Sequence, residues 1–316
     1  VWTVMAVTRG VLYACSATML LASIVIVVLN RSRLRTVRES LRRHMRFFDE
    51  VWAPLAEAHR DSLRSIAERT RRMEARLIER RRRDVGLLGW LAVSTGLRRS
   101  RYSVHSGGKV RQLAQGIEEL YAEAEELSSQ FQLWVSRWNT VGEVRFGSVK
   151  APSRAIQKTV RSYQRDASLL SDVVRCTVVV ESVEEIGAWL DRFEQLSEVS
   201  ETMSLTAASP GPSARPVAEF HGLDSPDLEA GSHRSDSDVD KGCAWMNVTS
   251  VKNRYDPNFD VEDSAGYRDL SVCVEVGWTM RLGRVHFVPL RDWPHTEGLR
   301  RHICEIQVLF RQLFEA

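Results

Sequence analysis

The strongest constraint on this chain is an uncharged run of 19 residues, from Val11 to Leu29, composed mostly of Leu, Ile, Val, Ala and Met. As a helix rising about 1.5 Å per residue, this run nearly spans the roughly 30 Å hydrocarbon core of a bilayer. It therefore predicts a transmembrane anchor over residues 1–30. A cleaved signal peptide fits less well because arginines, rather than the small residues of a cleavage site, follow the run. A buried core helix is the third alternative.

Seven arginines and a single acid follow the apolar run. The positive-inside tendency then predicts a single-pass membrane protein whose residues after 30 are cytosolic. A basic stem over residues 31–139 would be drawn to anionic lipid by roughly 1 kcal/mol per basic residue, although a solvated helix face explains the charges equally well. No nucleic-acid-binding motif accompanies them, so nucleic acid is not an expected partner. The arginines are Arg31, Arg33, Arg35, Arg38, Arg42, Arg43 and Arg46.

Charge divides the 316-residue chain into two parts. Residues 1–101 carry 21 Arg and 9 acids, whereas residues 102–316 carry 23 basic and 32 acidic side chains. A hydrophobic content of 43% excludes both a wholly disordered chain and a polytopic membrane protein. The five cysteines form no CxxC pair, and we interpret them as small buried residues in a reducing compartment. They are Cys15, Cys176, Cys243, Cys273 and Cys304.

Helical periodicity dominates the stem. Residues 31–83 favour a helix that Pro54 should interrupt or kink near Ala53. Alternating three- and four-residue spacing then predicts an amphipathic helix of about 30 residues whose apolar seam needs a partner. That partner is the stem helix, the next domain or a second copy of the chain, which would make a homo-oligomer. The seam residues are Val110, Leu113, Ile117, Leu120, Ala124, Leu127, Phe131, Trp134 and Trp138.

The pattern changes to α+β at about residue 140. Strands are predicted at Val173–Val180, Leu270–Val276, Arg284–Leu290 and Ile303–Leu309, and a helix at Val183–Leu196. Residues 199–242 are rich in Ser, Pro, Asp and Gly, which predicts a mobile insertion. The expected fold is a mixed sheet with two or three helices, within a domain covering residues 140–316.

The motifs of this domain carry a family resemblance. Residues 140–316 contain, in this order, the segments SVKAPSRAIQKTVRSY, SDVVRC, VKNRY, AGYRDLSVCVEV and HICEIQ. The ordered set resembles the RelA/SpoT-like nucleotidyltransferase domain of the alarmone ((p)ppGpp) synthetase family, and is most similar to divergent eukaryotic-type members. The resemblance implies a mixed-sheet nucleotidyltransferase fold. It also implies transfer of pyrophosphate from ATP to the 3′-hydroxyl of a guanine nucleotide, with Mg²⁺.

Two acids are the candidates for catalysis and metal binding. Pyrophosphoryl transfer requires a divalent metal that bridges phosphates and a group that orients or deprotonates the hydroxyl. Mg²⁺ prefers carboxylate oxygens. Asp172 precedes an apolar strand and Glu305 lies within one, where a charge is costly unless it is paired or metal-bound. A plain salt bridge at the strand start is the alternative for Asp172. In the family, the glutamate that matches Glu305 aligns the attacking hydroxyl.

The resemblance also implies a nucleotide-binding set. Basic residues corresponding to Lys150 and Lys158 grip the ATP phosphates, and a tyrosine corresponding to Tyr267 stacks on the guanine, where stacking supplies about 1–3 kcal/mol per base. A two-residue period places Gln307 on the side of Glu305, where it could hold the ribose or a metal-bound water. Further cations would extend the positive rim, namely Arg175, Lys252 and Arg254.

Several positions depart from the family pattern and leave a second function open. Ser148, Asp263 and Ser271 stand where the typical synthetase has Arg, Lys and His, and Arg154 replaces a serine. The alternative function is a catalytically inactive nucleotide-binding or protein-interaction module on a membrane-tethered coiled-coil stem. We expect a metal to bridge Asp172 and Glu305 if their carboxylates lie close together and open to solvent.

Overall fold

A computed structural model describes the backbone of residues 2–94, 102–103, 109–114, 116–207, 246–264 and 266–315. The side chains of residues 2–17, 82–94 and 199–207, and of a few single positions, fall outside this description. Six helices are described: α1 (Trp2–Ala58), α2 (Arg60–Ser94), α3 (Ile117–Trp138), α4 (Pro152–Ser162), α5 (Val183–Ala207) and α6 (Arg311–Phe314). Eight strands are described: β1 (Tyr102–Ser103), β2 (Lys109–Val110), β3 (Glu143–Phe146), β4 (Arg175–Val180), β5 (Met246–Asn253), β6 (Leu270–Arg281), β7 (Arg284–Phe287) and β8 (Arg300–Phe310).

The chain divides into two compact units. The first contains Val1–Leu55 and Asp260–Tyr267, and the second contains Ala56–Phe259 and Arg268–Glu315. The predicted boundaries at residues 30 and 139 stay predictions.

The first unit consists of most of α1 and a 3₁₀ turn at Val261–Ser264. Among the described parts of the chain, no helix is both long enough and apolar enough to cross a bilayer. The predicted span begins in residues 11–17, whose side chains lie outside the description. The anchor therefore gains no support, and the membrane location and the lipid contact stay predictions.

The second unit is built on a mixed sheet of six strands. Its strand order is β3-β4-β8-β6-β5, and β7 pairs with the far end of β6 as a hairpin. Only β4 and β8 run parallel among the described pairs of this sheet. β6 lies at the centre and is buried from Leu270 to Thr279, which explains why its sequence is almost continuously apolar. The mixed α+β fold expected from the sequence is thus confirmed.

One face of this sheet is apolar and carries the core. The alternate residues Cys176 and Val178 of β4 and Ile306 and Val308 of β8 are all less than 2% exposed. Helices α3 and α5 contribute to the same core, where Trp138 lies edge-on to Trp189 with ring centroids 5.2 Å apart. The seam of α3 is therefore covered by its own domain, and this leaves the predicted homo-oligomer without support. The buried seam residues are Leu120, Ala124, Leu127, Phe131 and Trp138.

The structure corrects several predicted boundaries. α1 continues through Pro54 to Ala58 rather than breaking there. α3 begins at Ile117, so the first part of the heptad pattern is not helical. Gln112 explains the difference because its backbone N–H donates to the Ser168 carbonyl at 2.7 Å. Its side-chain amide also donates to the carbonyl of Ile303 and accepts from the N–H of the same residue. These bonds to other segments replace the helical ones.

Other corrections concern the insertion and the cysteines. α5 extends to Ala207, beyond the predicted start of the insertion at residue 199, while residues 208–245 lie outside the described chain. The cysteines Cys176, Cys273 and Cys304 are buried and free, as expected, whereas the side chains of Cys15 and Cys243 fall outside the described residues.

Candidate functional site

The second face of the sheet is polar. Strand neighbours in register point to the same face, so the pairing places two rows of side chains side by side. Their burial is intermediate for most members, in contrast to the closed apolar face. The first row is Ser250, Cys273, Glu305 and Arg175, and the second is Lys252, Ser271, Gln307, Thr177 and Arg145.

A short connection brings Lys150 to the edge of this face. The backbone N–H of Lys150 donates to the carbonyl of Val173 at 3.1 Å, and its own carbonyl accepts from the Tyr121 hydroxyl. The Gln132 amide donates to the carbonyl of Gly147. Because Tyr121 and Gln132 both belong to α3, the long helix predicted from heptad spacing fixes the segment that carries Lys150.

α4 follows directly and supplies Lys158. Pro152 occupies the first turn, where its missing N–H has no intrahelical partner to lose. Ala155 and Thr159 face inward, so the remaining positions of this short helix are free to carry charge. The K-x7-K spacing of the sequence thus becomes one lysine before the helix and one on its second turn.

Both lysines converge on one oxygen of Asp172. Oδ2 of this carboxylate accepts from Lys158 Nζ at 2.8 Å and also from Lys150 Nζ. Asp172 is 8% exposed, and its second oxygen, Oδ1, is buried without a hydrogen-bond partner. The predicted basic pair and the predicted acid therefore form a single cluster, in which Asp172 bonds lysines and not Arg175 or Arg165.

Burial and ion pairing shift the pKa values of the three residues of this cluster in different directions. Burial alone would raise the pKa of Asp172, but Lys158 and Lys150 outweigh it and hold that pKa below its usual value. Burial lowers the pKa of Lys150 despite its bond to Asp172. Burial acts in the same direction on Lys158, yet the attraction of Asp172, with a contribution from Glu305, leaves the pKa of Lys158 raised. Lys158 thus experiences the charges of both candidate acids.

A cationic groove opens above this cluster. Its volume is about 510 Å³, and five cations line it without a single carboxylate. Arg154 and Arg161 are exposed, and neither they nor Arg175 form an ion pair with another described side chain. Uncompensated guanidinium groups are typical of phosphate-binding sites. The lining residues are Ser148, Val149, Lys150, Ala151, Arg154, Gln157, Lys158, Arg161, Ser162 and Arg175.

Glu305 lies on the next strand, in register with Arg175 of the groove. Its backbone N–H donates to the Val174 carbonyl at 3.0 Å, and its Oε1 accepts from the Ser271 hydroxyl at 2.6 Å. Glu305 is half-buried, whereas the apolar neighbours Cys304 and Ile306 point into the core. An acid within an apolar strand is therefore explained by the polar face on which it lies.

The remaining candidates are distributed differently. Gln307 shares the face of Glu305, as the two-residue period predicted. Lys252 is exposed two strands away, with its ammonium 5.4 Å from the Phe259 ring centroid. Arg254 donates to Asp269, so its guanidinium is engaged at the end of β5. Tyr267 belongs to the first unit, where its ring meets Phe48 edge-on at 6.3 Å.

The residues of the site could bind a divalent cation only together with the substrate. Among the described residues, no group of three or more His, Cys, Asp or Glu side chains could hold a metal by itself. Mg²⁺ is commonly bound by one or two carboxylates and completes its shell with substrate phosphates and water. The unpartnered Oδ1 of Asp172 and the nearby Glu305 match that donor set. The ammonium groups on Oδ2 would compete with the cation for Asp172.

Sequence reasoning missed part of the groove. Arg161 follows Arg154 by seven residues, two helical turns, and so shares its side of α4. That spacing was available in the sequence, but the helix was needed to show which face is open. Ser271 was singled out only as a departure from the family pattern, and nothing in the sequence linked it to Glu305.

No family model and no curated protein matches this chain. Small alarmone synthetase 1 from Bacillus subtilis, bound to its product pppGpp, is 12% identical over 62% of this chain and 72% of its own, with a TM-score of 0.31. Small alarmone synthetase 2 from Bacillus subtilis is 11% identical over 60% and 68%, with a TM-score of 0.28. With such values, these likenesses assign neither a family nor an activity to the chain.

Proposed function

We propose that the groove binds the phosphates of ATP and that the chain transfers pyrophosphate to the 3′-hydroxyl of a guanine nucleotide. The observation that carries this proposal is the cationic groove over the Lys150–Asp172–Lys158 cluster, beside Glu305 on the adjoining strand. A triphosphate carries several negative charges, and five cations without a lining acid suit such a ligand. The resemblance of the motifs to alarmone synthetases supports the choice of donor and acceptor.

The roles follow from the positions of the side chains. Lys150, Lys158 and Arg175 would neutralise charge on the β- and γ-phosphates, and Glu305 would accept the proton of the attacking hydroxyl. That hydroxyl oxygen bonds to the β-phosphorus of ATP while the bond from this phosphorus to the α–β bridging oxygen breaks. AMP leaves with the bridging oxygen. Asp172 Oδ1, together with phosphate oxygens and water, would hold Mg²⁺, which would supply further charge neutralisation to the phosphates.

The acceptor nucleotide would bind on the polar face of the sheet, beside Glu305. Gln307 and Lys252 share the polar face with Glu305 and would contact the ribose or phosphates of the acceptor. Stacking of guanine on Tyr267, and a contact of Arg254 with phosphate, belong to the proposal through the resemblance alone.

One observation favours a second function, nucleotide binding without transfer. Asp172 is buried and its Oδ2 is occupied by two ammonium groups, so the carboxylate is not open to solvent as a bridging metal ligand would be. In this function the groove still binds polyphosphate. The two functions therefore differ in Glu305, which only transfer requires.

The test uses the full chain with Mg²⁺, GTP or GDP, and ATP labelled on the γ-phosphate. Transfer predicts label on the guanine nucleotide and stoichiometric AMP, both abolished in Glu305→Gln while ATP binding persists. Glu198→Gln, an exposed acid of α5, is the matched control and should keep full activity. If ATP binding depends on Lys158 but no label is transferred, the result favours the second function, nucleotide binding without transfer. If Lys158→Ala reduces neither ATP binding nor label transfer, both functions are overturned.

A further inference from the structure

We propose that Ser271 is a positioning residue that holds the Glu305 carboxylate in its reactive orientation. The inference rests on the proposed function and adds a residue to it. Its basis is the hydrogen bond from Ser271 Oγ to Glu305 Oε1, which at 2.6 Å is typical of a hydroxyl bound to a charged acceptor. Ser271 is 6% exposed, so the bond is largely protected from competition by water.

Both partners of this bond sit on rigid elements. Ser271 lies on the central strand β6, with Lys252 opposite it on β5 and Gln307 opposite it on β8. Its backbone is therefore fixed from both sides, and rotation about the single Cα–Cβ bond sets the position of the hydroxyl oxygen. Glu305 is held by pairing with both β4 and β6. The Ser271 hydroxyl therefore donates its hydrogen bond from a fixed position in the sheet.

The register makes the contact a diagonal one. Cys273, and not Ser271, lies directly opposite Glu305. Diagonal neighbours on one face remain within reach of a long side chain, and here the Glu305 side chain leans two residues along β6 toward Ser271. A glutamate without this donor has other rotamers available on a half-open face. The bond selects one of them.

Selecting one orientation has a chemical consequence. The hydrogen bond occupies Oε1, which leaves Oε2 as the oxygen that accepts the proton of the 3′-hydroxyl. Positioning of a general base within hydrogen-bond reach of its proton is a condition for catalysis. Ser271 would contact neither nucleotide, so its removal should reduce turnover without weakening the binding of ATP in the groove.

The experiment compares Ser271→Val with Ser271→Thr in the transfer assay. These side chains have nearly the same shape and differ in the hydroxyl. We expect kcat to fall about 10- to 100-fold in S271V, the effect of one hydrogen bond to a charged group, with the KM for ATP unchanged and kcat largely restored in S271T. Thr279→Val removes a buried hydroxyl from the far end of the same strand and should leave kcat unchanged.

A double-mutant cycle separates positioning from a general effect on the fold. If Ser271 holds Glu305, S271V combined with Glu305→Ala should lower the melting temperature by less than the sum of the two single variants. This readout does not depend on activity. Equal kcat for S271V and S271T, or additive melting temperatures in a chain whose wild type transfers pyrophosphate, would overturn this inference alone. A wild-type chain without transfer would overturn the proposed function, and additive melting temperatures would then show that Ser271 does not hold Glu305 either.

Discussion

Two buried aspartates of the second unit occupy similar places in the sequence but differ in their surroundings. Asp172 lies three residues before β4, and Asp269 lies directly before β6. Each is less than 9% exposed, and each has one buried oxygen without a partner. Two lysines form ion pairs with Asp172, whereas the guanidinium of Arg254 forms an ion pair with Asp269.

The pKa values of these two aspartates move in opposite directions. Lys158 and Lys150 overcome burial and hold the pKa of Asp172 below its usual value. At Asp269, burial outweighs the attraction of Arg254, and repulsion from Glu305 adds to it, so its pKa rises to about 6. Burial is thus not sufficient to predict the charge of a carboxylate. Cations act on both carboxylates, and the balance with burial decides. At Asp172 the two lysines outweigh burial, whereas at Asp269 complete burial and the repulsion from Glu305 outweigh Arg254 and Lys252. Asp172 is the aspartate that lies beside the cationic groove.

The largest expected effect comes from removing the guanidinium that forms an ion pair with Asp269. Arg254→Met leaves a carboxylate that is 0% exposed without its ion pair, so we expect a loss of about 3–5 kcal/mol in the free energy of unfolding at pH 7. At pH 5 the loss should be smaller because Asp269 is then largely protonated. Urea unfolding at both pH values measures the difference, and an equal loss at the two would contradict the assignment.

The opposite pKa directions predict where stability depends on pH. Because the folded pKa of Asp269 lies above its unfolded value, its contribution is fully present below about pH 4 and declines as the pH rises through about 6. A separation of about two pH units corresponds to roughly 3 kcal/mol. Asp269→Asn should remove this slope, measured by urea unfolding between pH 4 and 7.

Asp172→Asn is the matched control for that slope. The lowered pKa of Asp172 means that its contribution is present above its unfolded pKa and is lost only as the pH falls through the lower, folded value. The Asn variant should therefore leave the slope between pH 5 and 7 unchanged. A slope that disappears in Asp172→Asn and persists in Asp269→Asn would reverse the comparison.

Asp172→Asn also sharpens the functional side of the comparison. We expect a loss of about 1–3 kcal/mol in stability, since two partly buried ammonium groups then face a neutral amide. ATP binding without Mg²⁺ should become tighter because Lys150 and Lys158 no longer share their charge with Asp172. Isothermal titration with EDTA measures this affinity, and weaker binding would show that Asp172 is needed to align the lysines on the phosphates.

The smallest expected effect tests the surplus of charge in the groove. Arg161→Ala removes one of five cations, and we expect the ATP affinity to fall about threefold, in line with the modest strength of exposed ion pairs. Arg284→Ala, an exposed arginine of β7, is the control and should leave the affinity unchanged. A loss above a hundredfold would indicate a specific contact rather than one member of a redundant set.

Much of this fold was accessible from the sequence because local patterns determined it. β-branched runs located β4, β6 and β8, and heptad spacing located α3. The edge strand β3 was missed because Glu143–Phe146 has four largely exposed residues and no periodic signal. The late start of the heptad helix depends on Gln112, whose partners are 56 or more residues away, and such bonds leave no trace in a local pattern.

The candidate site was predictable in its members but not in its pairing. Lys150, Lys158, Asp172 and Glu305 were all identified from motifs, yet the sequence paired the two acids with each other. The structure pairs Asp172 with the lysines and Glu305 with Ser271. Which cation reaches which carboxylate depends on side-chain directions across strands, and spacing along the chain does not encode those directions.

The strand order has a consequence for biosynthesis. β8 comes last among the described strands but is inserted between β4 and β6. A nascent chain that has emerged only as far as residue 299 therefore exposes two unpaired strand edges, which are templates for aggregation. Glu305 arrives with the same strand, so the site and the closure of the sheet are completed together, after nearly all of the described chain has left the ribosome.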